Sequence, residues 1–355
     1  MTETNVAQRE AQIFQFLKDG NKNQAKEELA NLVIELAKQH NFTEADRLRD
    51  RIYEIDAMAL NEIIRTGEVI DEEKAKAIGG QHKAVWEPLL TKITEEEFTT
   101  LYHATTKKTF SAEAEIVSSG SINDALFFIN RGTVEISHYI NDEKTVITEL
   151  HPGKMIGENF FEASLWTVNV NAKSEAEVGL LHRKDLDKLS ETFPGLESKL
   201  RDFYNNLIEI QAVLAQKEIN RRAVPRYETA LKVFFQFIDK NGKVGEKPFR
   251  ADLIDISEGG VAFAIRISKK ENCRILLGRT IRITIPLKTG QKQIPMDGRI
   301  ISVQPFNMME SDYGIHVRLS KRIPGKHLSL FCDIPQEESS EEQQTKLEVG
   351  EKDEE

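Results

Sequence analysis

Arg221, Arg222 and Arg226 stand within six residues of one another and read as RxxxR with a further arginine just before it. Some thirty residues on, Asp255-Ile256-Ser257-Glu258-Gly259-Gly260 reads as DxSxxG. A guanidinium offers a planar fork of donors that binds a phosphate in bidentate fashion and stacks on an aromatic face. Three of them close together form a clamp for a ligand that is both anionic and aromatic. The second run places a carboxylate, a hydroxyl and a glycine in one turn. Each run also has an ordinary reading, solvated charge for the first and a hairpin turn for the second.

No pattern in the chain suggests catalysis. The carboxylates and histidines form no recognisable nucleophile–base or metal-ligand spacing, so an enzyme is not expected. Two cysteines, Cys273 and Cys332, are too few for a disulfide framework or a structural zinc site. Neither a metal nor a cofactor is expected. The chain has 355 residues and a net charge of −10, of which −7 falls in the last twenty residues, with nine acids and two lysines. The first 335 residues carry only −3, so global charge gives no argument for nucleic-acid binding. No apolar run approaches the ~20 residues needed to span a bilayer. The polar start, MTETNVAQREAQ, lacks the basic and apolar regions of a signal peptide, which favours the cytoplasm.

These groups must be positioned by several domains, as the length suggests. Residues 1–90 are predicted to be helical. Leu29, Leu32, Val33 and Leu36, then Leu48, Ile52, Ile55, Ala59 and Ile63, recur at helical spacing on either side of His40-Asn41, which reads as a helical hairpin followed by a further turn or helix. Residues 95–215 change to short apolar clusters broken by turn residues, a small β domain. It closes on the short helical piece Asp185–Leu189 and a long helix opened by Pro194, with Leu196, Leu200, Phe203, Leu207, Ile210 and Leu214 on one face. Residues 216–335 begin with the arginine-rich linker and pass into period-two alternation: Leu231, Val233, Phe235, Phe237; Ile281, Ile283, Ile285; Ile315, Val317, Leu319. That pattern predicts an antiparallel barrel. Residues 336–355 are acidic and nearly without apolar residues, so disorder is expected there.

Asn41-Phe42-Thr43-Glu44-Ala45-Asp46-Arg47-Leu48-Arg49-Asp50-Arg51-Ile52 resembles the UVR motif, a helical hairpin used for protein contacts, over about thirty residues from Lys26 to Ile55. The resemblance implies a protein partner at the N-terminal helices. An amphipathic hairpin covered by the rest of this chain fits the same residues.

Residues 106–213 resemble the cyclic-nucleotide-binding fold of the catabolite-activator family. The matching pieces come in order: Asp124 to Gly132, Leu150-His151-Pro152-Gly153, Ile156-Gly157-Glu158, Ala172 to Val178, and Phe193-Pro194-Gly195-Leu196. In that family a Gly-Glu pair holds the ribose and an arginine pair holds the cyclic phosphate. Glu158 matches the first role. At the second, this chain has Trp166-Thr167, and no arginine lies between Arg131 and Arg183. Thr167 would give one neutral hydrogen bond, which does not replace a guanidinium on a buried phosphate. Glu158 and Thr167 are therefore only a candidate mononucleotide site. The plainer reading is a relay or dimerisation domain that keeps the fold without the ligand, and a different, less acidic ligand near Glu158 and Trp166 is a third. No basic recognition helix follows the long helix, so the sequence points away from DNA.

Residues 221–332 resemble a PilZ domain, the bacterial receptor module for cyclic di-GMP. The carriers are RxxxR and DxSxxG in order, followed by Gly298-Arg299-Ile300-Ile301 and Tyr313-Gly314-Ile315-His316-Val317 as closing strands. The resemblance implies a six-stranded antiparallel barrel, making the whole chain a multidomain α+β protein: helical hairpin, β-roll with a long C-terminal helix, and barrel. It further implies that Arg221, Arg222 and Arg226 wrap cyclic di-GMP, that Asp255 accepts from guanine N–H groups, that Ser257 hydrogen-bonds the ligand and that Gly260 lets the backbone come close. Arg221 suggests a stacked pair of ligand molecules, one or two per site being left open. The expectation is a bacterial second-messenger receptor in which the ligand orders the linker Gln216–Tyr227 and changes the angle between the β domains, with output to a protein partner. The alternative is a transcription regulator or adaptor, controlled through the middle domain by a mononucleotide or by no ligand. The long helix would suit a homodimer.

Overall fold

The computed structural model describes residues 3–140, 143–157, 160–207, 224–269, 272–287, 292–307 and 312–333. The chain begins with α1 (Glu3–Lys18), α2 (Lys22–Lys38), α3 (Phe42–Ile55) and α4 (Leu60–Lys76). The α2–α3 pair is the predicted hairpin, and its turn contains His40 in the left-handed region at φ 60°. Leu29, Leu32, Val33, Leu36, Ala45, Leu48 and Ile52 are buried, and Val6, Ile13, Ala59 and Ile70 from α1, α4 and the residue before α4 pack with them. The hairpin's apolar face is thus covered by this chain's own helices.

Three more helices, α5 (Gly80–Val85), α6 (Glu87–Leu90) and α7 (Glu95–Ala104), lead into a β-roll. Its strands are β1 (Thr106–Phe110), β2 (Glu115–Val117), β3 (Ala125–Arg131), β4 (Val134–Ile140), β5 (Glu143–Leu150), β6 (Met155–Ile156), β7 (Ala163–Ser164), β8 (Asn169–Ala172) and β9 (Ala176–His182). Two four-stranded antiparallel sheets, β1-β9-β3-β6 and β2-β8-β4-β5, enclose one apolar core. Helices α8 (Arg183–Thr192) and α9 (Leu196–Leu207) follow. Leu186, Leu189, Leu196, Leu200 and Phe203 join Trp86, Leu89, Phe98 and Leu101 on the outside of the roll, so helices from both ends of the domain share a second core. The predicted helix beyond Leu207, the linker as far as Ala223, and the acidic tail lie outside the described residues.

The last domain comprises β10 (Tyr227–Glu228), β11 (Lys232–Ile238), β12 (Phe249–Ile256), β13 (Gly260–Arg266), β14 (Thr280–Pro286), β15 (Gln293–Asn307) and β16 (Asp312–Leu319). The order β12-β11-β14-β15-β16-β13 closes through β12–β13 pairing into a six-stranded antiparallel barrel. Val233, Phe235, Ile281, Ile283, Ile285, Ile315, Val317 and Leu319 fill it, as period-two alternation requires. Each intervening residue points outward.

Two residues of the roll belong structurally to the barrel. Strand β7 pairs with β15, Ser164 opposite Ser302 and Ala163 opposite Val303. Leu165 N–H donates to the Ile301 carbonyl at 2.8 Å, and Ala163 and Leu165 are buried in the barrel's core cluster.

Candidate functional site

The DxSxxG run lies at the end of β12, where a register shift between Leu253 and Asp255 interrupts the β12–β13 ladder. A bulge re-aims a side chain. Leu253 and Ile256 enter the core, and Asp255 is left half-buried on the outer face opposite Ala262. The Ser257–Gly260 turn then closes on itself. Ser257 N–H donates to the Gly260 carbonyl at 2.9 Å. The Ser257 hydroxyl accepts from Gly260 N–H and donates to the Gly260 carbonyl, each at 3.1 Å. Ser257 is 4% exposed. One lone pair of its oxygen remains for a ligand N–H. The turn is held from outside as well, since the Gly259 carbonyl accepts from Leu319 N–H and the Glu258 carbonyl from Ile323 N–H.

Gly260 serves the barrel directly. A Cβ there would lie 2.7 Å from the Val317 carbonyl oxygen on β16. The close approach that needs glycine is therefore already made by a neighbouring strand.

Strand β10 positions the arginine run. Tyr227 and Glu228 pair with Ile256 and Asp255, which brings the preceding residue to the DxSxxG shelf. Arg226 is exposed, and its Nη1 donates to Asp255 Oδ2 at 3.4 Å. Four of the six predicted residues, Arg226, Asp255, Ser257 and Gly260, thus come together. Arg221 and Arg222 lie outside the described residues.

Of the candidate mononucleotide pair, Thr167 alone can be placed. Glu158 lies outside the described residues. Thr167 is half-buried, and its carbonyl accepts from His138 Nδ1 at 3.0 Å. Trp166 is 2% exposed and packs edge-to-face on Phe127 within the roll's interior. The flanking arginines are engaged by carboxylates: Arg131 with Glu175 at 2.6 Å, and Arg183 with both oxygens of Glu197 at 3.0 and 2.7 Å.

A third arginine was not singled out by any motif. Arg274, on the short helix Asn272–Leu276 of the barrel domain, donates to three main-chain carbonyls of the roll: Asn123 at 3.3 Å, Phe160 at 2.7 Å and Glu162 at 3.2 Å. Its guanidinium also lies 5.8 Å from the Phe160 ring centroid. Burial, and next the charge of Arg183, push its pKa below the ordinary arginine range. Local sequence carries no signal for such a contact, because the acceptors are main-chain atoms more than a hundred residues away. A groove of about 530 Å³ lies elsewhere, between β14–β15 and the segment Ser320–Phe331, and none of the predicted site residues lines it.

The chain thus joins a β-roll to a six-stranded antiparallel barrel, and the barrel brings Arg226, Asp255, Ser257 and Gly260 to one side. Residues 107–193 match the family model of the cyclic nucleotide-binding domain, and residues 220–332 match that of the PilZ domain. The chain carries both domains, and both are ligand-binding regulatory modules. No curated protein matches the chain. Among solved structures it is similar to the N-terminal domain of a transcriptional regulator from Streptomyces coelicolor A3(2), at 17% identity over 38% of this chain and 91% of that one, TM-score 0.31. It is also similar to the catabolite activator protein of Thermus thermophilus, at 19% identity over 37% of this chain and 61% of that one, TM-score 0.33. A regulatory subunit of a cAMP-independent protein kinase A from Trypanosoma cruzi, bound to guanosine, is 23% identical over 42% of this chain and 52% of that one, TM-score 0.33.

Proposed function

We propose that the chain is a cyclic di-GMP receptor whose ligand sits on the outer face of the barrel, between the RxxxR arginines and the DxSxxG shelf. The observation that carries this reading is the approach of Arg226 to Asp255 at 3.4 Å, which joins the two motifs on one side of the barrel. At that distance the contact is weak, and Arg226 is exposed. An incoming phosphate or guanine edge would capture the guanidinium with little internal cost, leaving Asp255 to accept from guanine N–H groups. Arg222 and Arg221 would complete the clamp from the same linker, and Arg221 favours two stacked ligand molecules.

The proposed output is a rearrangement between roll and barrel that is read by a protein partner, in a cytoplasmic signalling protein and not an enzyme. The β7–β15 pairing supports a mechanical connection between the two domains. Isothermal titration with cyclic di-GMP tests the site. Arg226→Ala should remove charge-assisted bonds worth about 1.5–3 kcal/mol, or ~10–150-fold in affinity. Unchanged affinity would place the ligand elsewhere. A thermal-shift panel of nucleotides should show a raised melting point with cyclic di-GMP, because a ligand bound only to the native state stabilises it.

A further inference from the structure

The side of the shelf away from Arg226 carries a cation that belongs to neither motif. In the β13–β16 ladder Gly260 stands directly opposite Arg318, and Ala262 opposite His316. Val261, Phe263, Val317 and Leu319 point into the core, so Gly260, Ala262, His316 and Arg318 share the outer face. Asp255 pairs with Ala262 and lies on that face too. Crossing the barrel wall from Arg226, the strands in order are β12 with the shelf, β13 with Gly260 and Ala262, and β16 with Arg318. The two arginines are separated by about three strand spacings, on the order of 14 Å. Between them β13 presents Gly260, half-buried and without a side chain, and the small Ala262, which is buried. Arg318 is exposed, and its guanidinium has no hydrogen-bond or ionic partner among the described residues.

We propose that Arg318 is a further ligand-binding residue, taking a phosphate of the bis-guanylate from the barrel side while Arg226 holds it from the linker side. The inference rests on the reading of the shelf as a cyclic di-GMP site. That ligand carries two phosphate anions, and one clamp on one side leaves the far phosphate facing the outer surface of β13 and β16. Arg318 stands there with its fork unengaged, so it binds without breaking an internal ion pair. Arg226, in contrast, must leave Asp255.

Isothermal titration of the full chain with cyclic di-GMP, on wild type, Arg226→Ala, Arg318→Ala, Arg318→Lys and Arg318→Glu, tests this. Arg318→Ala should weaken binding by about tenfold or more, Arg318→Lys should recover part of the loss, and Arg318→Glu should weaken it further. The ligand-free melting point should stay unchanged in all three, since the side chain is exposed and has no partner among the described residues. If Arg318→Ala binds as wild type does while Arg226→Ala is weakened, Arg318 is not a ligand contact and the shelf reading stands. If Arg318→Ala lowers the ligand-free melting point and Arg318→Lys restores nothing, the residue is structural and the proposal is overturned. If wild type gives no binding heat and no thermal shift with cyclic di-GMP, the reading of the site itself fails.

Discussion

At Ser257 and Gly260 the same atoms that a ligand would use are already used by the fold. The Ser257 hydroxyl spans the Gly260 amide and carbonyl at 3.1 Å each while 4% exposed. Ser257→Ala leaves the Gly260 N–H short of its side-chain acceptor in a buried turn, a cost of about 1 kcal/mol. Gly260→Ala forces a Cβ to within 2.7 Å of the Val317 carbonyl, so β13 and β16 must separate, at about 1–3 kcal/mol. Urea denaturation of the ligand-free protein should show both losses, with Gly260→Ala the larger. Wild-type midpoints for both would mean that the turn relaxes freely. The consequence for the site is practical. Lost binding in either variant is ambiguous between contact and fold, whereas Arg226 and Arg318, both exposed, separate the two.

Among the elements, the joint between the N-terminal helices and the roll should respond to pH. His82 on α5 lies edge-on to the Tyr102 ring at 4.7 Å and beside Phe98 on α7. It lines a small cavity of about 20 Å³ with Trp86, Phe128 and Asn130. Burial, aided by the charge of Lys107 and opposed by Glu177, pushes its pKa from 6.5 down to about 4. The unfolded chain takes up a proton near pH 6.5, and the folded joint refuses it until about pH 4. The stability from neutral His82 is therefore complete above pH 6.5 and is lost as the pH falls through that window. Melting points measured from pH 7 to 4 should fall less steeply for His82→Phe, which keeps a ring between Tyr102 and Phe98 but cannot titrate. Parallel curves would exclude His82 as a source of acid sensitivity. How far these elements were legible in the sequence depends on their length. Period-two runs of Ile281–Ile285 and Ile315–Leu319 mark whole barrel strands, and helical spacing marks α2 and α3, because a packed face repeats over several residues. Strand β7 has two residues, too few for any period, and the bulge that turns Asp255 outward exists only against its partner strand. The motif residues carry a type-and-spacing signal that marks them as a candidate site. Arg274 carries none, since its acceptors have no side-chain signature.

In the molecule as a whole, the two β domains meet through backbone rather than through a linker alone. Leu165 N–H bonds the Ile301 carbonyl, β7 extends the barrel sheet at β15, and Arg274 gathers the carbonyls of Asn123, Phe160 and Glu162 beneath one guanidinium. The outer-face row Asp255, Ala262, His316, Ser302 and Ser164 runs from the candidate ligand shelf to the roll's own strand, each residue paired with the next across the ladders. A shift of β12 or β13 on ligand binding would thus reach β7 without passing along the helix. Arg274→Ala should test this joint. Loss of its charge-assisted bonds, about 1.5–3 kcal/mol, should speed amide exchange in Phe160–Leu165 by ~10–150-fold while leaving the barrel amides of Val317 and Phe263 protected. Cyclic di-GMP should alter exchange in Phe160–Leu165 in the wild-type protein and much less in Arg274→Ala. Equal protection in both proteins, with or without ligand, would show that the joint bears no load and that any coupling between roll and barrel runs through the helix and linker instead.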